Sequence, residues 1–220
     1  EAFQTSTRGV SNIVIGHQAL QTANHTSNDG SIAIGELALS AKNLSSGSQY
    51  DGATVAIGFK ALQDLTSALG NTAIGYLASN DVSTGAGNTS LGYRALASSA
   101  SSADYNVAIG YAAMDASAGT GGGQNVFVGK DAGGGTWTTG ACNYNVGIGS
   151  EALAGALALS SGTIGIGYQA LTDLTSGGQN IAIGYQTGWD ITTGASNTLL
   201  GYGAGKWMAE GSGNVALGAY

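Results

Sequence analysis

The side chains able to do chemistry are few, and their spacing serves no familiar reaction. His17 and His25 are the only histidines. They are not spaced as a zinc-binding pair, and no nucleophile motif accompanies them. Cys142 is the only cysteine, so an intrachain disulfide and a Cys-based metal cluster are both excluded. GIGYQA at 165–170 and GIGSEA at 147–152 loosely match a dinucleotide-binding fingerprint. Both lack the strand–helix–strand setting that would aim a helix N-terminus at a pyrophosphate. The 13 acidic residues are dispersed, so a glycosidase-type carboxylate pair could form only across repeats or across chains. NDG at 28–30 and YDG at 50–52 carry calcium-type oxygens but read more simply as turns. NHT at 24–26, NLS at 43–45 and NTS at 88–90 match the glycosylation acceptor pattern, which is short enough to arise by chance. These residues predict no catalytic centre, no cofactor and no metal.

Two amide and aromatic patterns remain. Both are positions in a repeat, so the elements that hold them come first. N-x-A-I-G recurs along the chain, its glycine at 16, 35, 58, 75, 92, 110, 129, 149, 167, 184, 201 and 218. The base period of these 12 copies is 17 residues, and longer intervals carry small insertions. A fixed period of this length marks a solenoid or an array. Below, the motif glycine is position 0. Position −1 is always aliphatic and −3 is always Ile, Val or Thr. Two positions apart in a strand share one face, and β-branched residues suit a pleated sheet. Position −2 is mostly Ala, with Phe127 and Leu199 as large exceptions. Small apolar residues there suggest a second buried face against a close neighbour, as in parallel sheets.

The glycine is expected to bend the chain through a positive φ or a close backbone approach. A second motif follows, commonly Y-x-A-L, with Ala at +3 in 10 of the 11 copies long enough to show it. A polar, Gly-rich turn segment then closes the unit, as in TSGGQN at 175–180. Each repeat reads as strand, bend, short strand, loop. The expected fold is all-β, a parallel β-solenoid of about 12 rungs: an N-terminal lead-in over 1–11 and a single repeat domain over 12–220. Helix propensity competes at EALAGALALS, 151–160, but that segment is in phase with the repeat. At about 4.8 Å per rung, the rod is about 58 Å long.

Composition agrees. The chain has 39 Gly and no Pro, is 43% apolar and only 9% charged. It can therefore bury a core but has few groups to solvate a surface, which points to burial by repetition or by an oligomer. A net charge of −7, with six scattered basic residues, disfavours nucleic acid and anionic membrane surfaces. No uninterrupted apolar stretch is long enough to span a membrane. No polar capping repeat follows the last glycine, so continuation past Tyr220 or stacking on another subunit is expected.

Within this frame, Asn stands at −4 in nine of the 12 copies. The favoured reading is a ladder of stacked amides satisfying turn backbone from rung to rung, rather than a polar array for a ligand or ice. Tyr follows the glycine in two runs, 76–93–111 and 168–185–202, and packing as an aromatic ladder is favoured over an exposed sugar-stacking stripe. Insertions in a solenoid map to loops, often on the binding face. The loops of varying length carry Tyr50, Tyr105, Trp137 and Tyr144, the candidate partner-binding residues, and residues 41–53 and 133–144 depart most from the period.

Copies such as NTAIGYLAS at 71–79, NVAIGYAAM at 106–114 and NIAIGYQTG at 180–188 resemble head repeats of YadA-like trimeric autotransporter adhesins. They look equally similar to the NTAIGYQAL-type repeats of phage tail fibres. The resemblance covers roughly residues 12–218. It implies a left-handed parallel β-roll wound or packed as a homotrimer. It also implies a non-enzymatic structural and adhesive fibre, outside the cell on a virion or bacterial surface, contacting a cell-surface glycan or protein receptor. The 17-residue period and the aromatic after the glycine look more like the phage type. A filament subunit stacking end to end and a polysaccharide-depolymerising tailspike are the alternatives.

Overall fold

The computed structural model describes residues 11–21, 30–41, 54–98, 102–117, 122–137, 142–158 and 160–220. Twelve three-residue strands form one parallel sheet. They are β1 (Ile13–Ile15), β2 (Ile32–Ile34), β3 (Val55–Ile57), β4 (Thr72–Ile74), β5 (Thr89–Leu91), β6 (Val107–Ile109), β7 (Val126–Val128), β8 (Val146–Ile148), β9 (Ile164–Ile166), β10 (Ile181–Ile183), β11 (Thr198–Leu200) and β12 (Val215–Leu217). Their order in the sheet is their order in the chain, so each coil lies directly on the one before it. The register never slips: Ile13 pairs with Ile32, Thr72 with Thr89 and Ile164 with Ile181. Among the described residues there is no helix, and Glu151–Leu153 form a turn. The all-β parallel solenoid is thus the observed fold.

The motif glycine bends the chain as its position requires. Its φ runs from 118° to 143° over the 12 copies. A Cβ at Gly75 would lie 2.2 Å from the carbonyl oxygen of Gly92, directly above it. Both the dihedral and the stacking distance demand glycine.

The segment after the bend differs from expectation. It is a run of turns, with left-handed residues at +2 and +4: Leu37 at 58° and Leu39 at 53°, Gln169 and Leu171 each at 53°. Those two residues turn their N–H groups toward opposite neighbours. Leu37 donates back to the carbonyl of His17 and Leu39 donates forward to that of Ala61, both at 2.9 Å. The inter-rung ladder therefore continues around the corner in a tighter path than a strand could follow.

The core also runs differently from the pattern of apolar residues. In β2–β11 the middle residue, at −2, is buried. It packs on the Ala at +3 and the Leu at +4, as Ala33, Ala38 and Leu39 illustrate. The larger Ile, Val and Leu side chains at −3 and −1 point outward and stay partly or fully exposed. A coil this narrow admits one small side chain per strand, so alanine takes the interior. Where −2 is large, glycine makes room. Phe127 is accommodated by Gly133 at +4 of its own coil and Gly147 at −2 of the next, whose Cβ atoms would lie 2.6 and 2.5 Å from the ring. Leu199 is matched by Gly205 at +4 of its own coil and Gly188 at +4 of the coil before, whose Cβ atoms would lie 2.9 and 3.0 Å from it.

Candidate binding cleft

Position −5 is left-handed in every described coil. Glycine fills it at 30, 70, 87, 162 and 213. Ser11, Gln179 and Ser196 fill it elsewhere, and in three consecutive coils it is Tyr105 (56°), Gln124 (60°) and Tyr144 (61°). A bulky L-residue at positive φ is uncommon and costs on the order of 1–3 kcal/mol. Inter-rung bonds hold each one in place: Tyr105 N–H donates to Ala86 O at 2.8 Å, and Gln124 N–H to Asp104 O at 2.9 Å.

The two tyrosines are 61% and 64% exposed. With Asp104, Gly123, Gln124 and Asn143 they line an open cleft of about 240 Å³. Asp104 and Asn143 stand at −6 and are tied down by backbone. Asp104 Oδ1 accepts from Ala86 N–H at 2.7 Å, and Asn143 Oδ1 accepts from Gly123 N–H at 2.8 Å. On the other side of Tyr105 lies a second cleft of about 570 Å³, more apolar, bounded by Leu69, Gly70, Ala86 and Gly87. Tyr105 leans over Gly87, where a Cβ would come within 2.6 Å of its ring.

Sequence reasoning therefore placed two of its four candidates in one site. Tyr50 lies outside the described residues, as does all of 41–53 except Ala41. Trp137 is a correction. It is 3% exposed and packs in the core, its ring 5.7 Å from Phe127 at 60°. The indole packs beside Gly122, where a Cβ would lie 3.1 Å from its ring, so a small residue of the neighbouring segment leaves the space it fills. Gln124, Asp104 and Asn143 were missed. Aligning −5 and −6 across the repeat would have shown three consecutive coils losing glycine at −5.

The asparagine ladder exists as expected. Asn71 Oδ1 accepts both the N–H and the Nδ2 of Asn88, at 2.9 and 3.1 Å, and Asn88 Nδ2 donates on to Ala103 O at 2.7 Å. The same bonds join Asn88, Asn106 and Asn125, then Asn180, Asn197 and Asn214. Asn88, the acceptor of the NTS pattern, is buried in this ladder. The aromatic columns are Phe59–Tyr76–Tyr93–Tyr111 and Tyr168–Tyr185–Tyr202–Tyr220, with centroids 5.0–5.6 Å apart. The rings pack on one another while the tyrosines keep an exposed rim. A third cluster sits at Lys206, whose Nζ donates to Gln186 Oε1 at 2.8 Å and lies 4.6 Å from the Trp189 ring centroid.

The carboxylates show no dyad in either cleft. Partial burial, then the like charge of Asp81, raises the Asp64 pKa above its ordinary value. Burial, then Asp190, does the same at Asp173. Arg94 clamps Asp115 with two bonds, at 2.9 and 3.3 Å, which holds its guanidinium pKa up. Among the described residues no three His, Cys, Asp or Glu side chains gather as metal ligands, and no helix is long and apolar enough to cross a membrane.

In comparisons with known proteins, the chain matches no family model, no curated protein and no solved structure.

Proposed function

We propose that the chain is a non-enzymatic structural and attachment module of an extracellular fibre, assembled from several copies and displayed on a virion or bacterial surface. One observation carries this reading. The outer face of the sheet is an uncharged strip, aliphatic at all positions but Thr72, Thr89 and Thr198. Positions −3 and −1 of all 12 strands are Ile, Val, Leu or Thr, with no charged residue among them. At about 4.8 Å per step the strip runs about 53 Å, flanked by the aromatic columns. Its footprint of about 500 Å² equals the largest patches on ordinary monomers, and patches of that size mark interaction sites.

The occupant that best fits a flat, regular strip is the same strip on another copy, because matching periods bring every rung into contact at once. Three copies about one axis is the arrangement that the resemblance to adhesin and tail-fibre repeats implies. The stacked hydrogen-bond ladders supply rigidity, and the exposed aromatic cleft supplies the surface for attachment. Light scattering on the purified chain tests this. A mass of three chains is expected. A stable single chain at micromolar concentration would overturn the self-assembly reading, and a mass that grows with concentration would replace the trimer with a filament.

A further inference from the structure

The geometry points to a subsite for a neutral β-1,4-linked glycan, laid along the rod axis across Tyr105, Gln124 and Tyr144. This inference rests on the attachment reading and gives it a ligand class.

Four observations converge. The first is the platform. Tyr105 packs against the bare backbone of Gly87, yet more than half of its surface stays open. A ring already immobilised in the free protein loses little entropy when a sugar's C–H face stacks on it. The second is spacing. Tyr105 and Tyr144 stand at the same coil position two rungs apart, about 9.5 Å along the axis. In an extended β-1,4 chain each sugar is turned over relative to the next, so the same face recurs every second sugar, over a similar length.

The third is polarity. Gln124 stands between the rings, flanked by Asp104 and Asn143. Asp104 and Asn143 each spend one oxygen on backbone, which fixes the side chain and leaves Oδ2 and Nδ2 as an acceptor and a donor for hydroxyls. Asp104 and the net charge of −7 disfavour uronic or sulfated sugars. The fourth is cost. Glycine serves the same left-handed position in five other described coils and Ser or Gln in three, so an aromatic there is confined to these two coils. Two tyrosines there carry backbone strain that folding does not require, and such strain gathers at binding sites.

The test is calorimetric titration of the full chain with cellohexaose, chitohexaose and a β-1,4-linked mannuronate hexamer. At least one neutral hexamer is expected to bind, and the mannuronate at least tenfold more weakly. Tyr105→Ala and Tyr144→Ala are each expected to weaken binding about tenfold, which is the scale of one lost aromatic contact. Trp207→Ala, an exposed aromatic outside the cleft, keeps the parent affinity. Tyr144→Gly loses binding while its unfolding midpoint stays at or above that of the parent, which a purely structural tyrosine would not allow. The inference is overturned if neither neutral hexamer binds, if both alanine variants bind as the parent does, or if mannuronate binds equally well. A chain that still assembles and still coats cells while ignoring all three sugars would sink this subsite alone. A chain that does neither would sink the fibre reading with it.

Discussion

At the scale of single residues, the solenoid is held by groups whose partners lie on the neighbouring coil, 14 or more residues away. Asn106 is the clearest case. Its Oδ1 accepts from the N–H and Nδ2 of Asn125, and its Nδ2 reaches Gly122 O at 3.1 Å, all buried. Asn106→Ala strands a buried donor and a buried acceptor, so a loss of about 3 kcal/mol is expected in urea unfolding. Asn214→Ala, in the exposed last coil, should cost under about 1 kcal/mol by the same measurement. The carboxylates give a signed expectation. Asp64 and Asp173 have folded-state pKa values above the ordinary 3.8, so the folded chain holds those protons more tightly than the unfolded one. Their contribution to stability is fully present below that ordinary value and is lost as pH rises through the raised one. The Asp64→Asn, Asp173→Asn double variant should melt slightly higher than the parent at pH 7, and the gap should close as pH falls toward 4. Both groups are largely solvated, so the effect is small. A gap that widened on acidification would contradict the assignment.

At the scale of the element, one coil is a fixed volume shared between positions −2 and +4. The coils of β2 and β3 divide it as Ala with Leu, and those of β5, β6, β8 and β9 likewise put a small residue at −2 and Leu or Met at +4; the coil of β7 reverses this as Phe127 with Gly133. Phe127→Ala alone leaves a cavity and should cost about 3–5 kcal/mol. Gly133→Leu alone drives a side chain into the Phe127 ring, since even a Cβ would lie 2.6 Å from it. The double variant recreates the Ala–Leu pair of the β2 and β3 coils, and Leu at +4 there adopts the same left-handed φ. It should recover most of the loss, with a coupling of at least about 1 kcal/mol in a double-mutant cycle. Additive losses would mean that the two positions do not share a space.

At the scale of the molecule, one side of the sheet builds the core and the other stays exposed in the single chain; it is the face proposed to meet other copies. Ile109 and Ile166 lie on the outer strip and are partly exposed in the single chain. Ile109→Lys and Ile166→Lys should therefore leave the unfolding midpoint of the isolated coil little changed. Together they should reduce the light-scattering mass to one chain, because assembly would bury two unpaired charges. Unchanged assembly would move the interface elsewhere. Under the proposed assembly this outer face would be covered by other copies, which would account for a chain with so few charges.

Much of this was legible in the sequence because a repeat aligns itself. The period, the strand at −3 to −1, the glycine bend and the asparagine ladder each appear many times, so chance substitutions average out. Tyr105 and Tyr144 were legible as aromatics in the loops between strands. The facing of the strand was not, because alternation states that −3 and −1 share a side but not which side is inside. Coil width decides that, and a narrow coil takes the alanine and excludes the isoleucine. Nor could sequence show that Trp137 turns inward, or that Gln124, Asp104 and Asn143 meet the two tyrosines. Those contacts join separate coils, and only the stacking of one coil on the next brings them together.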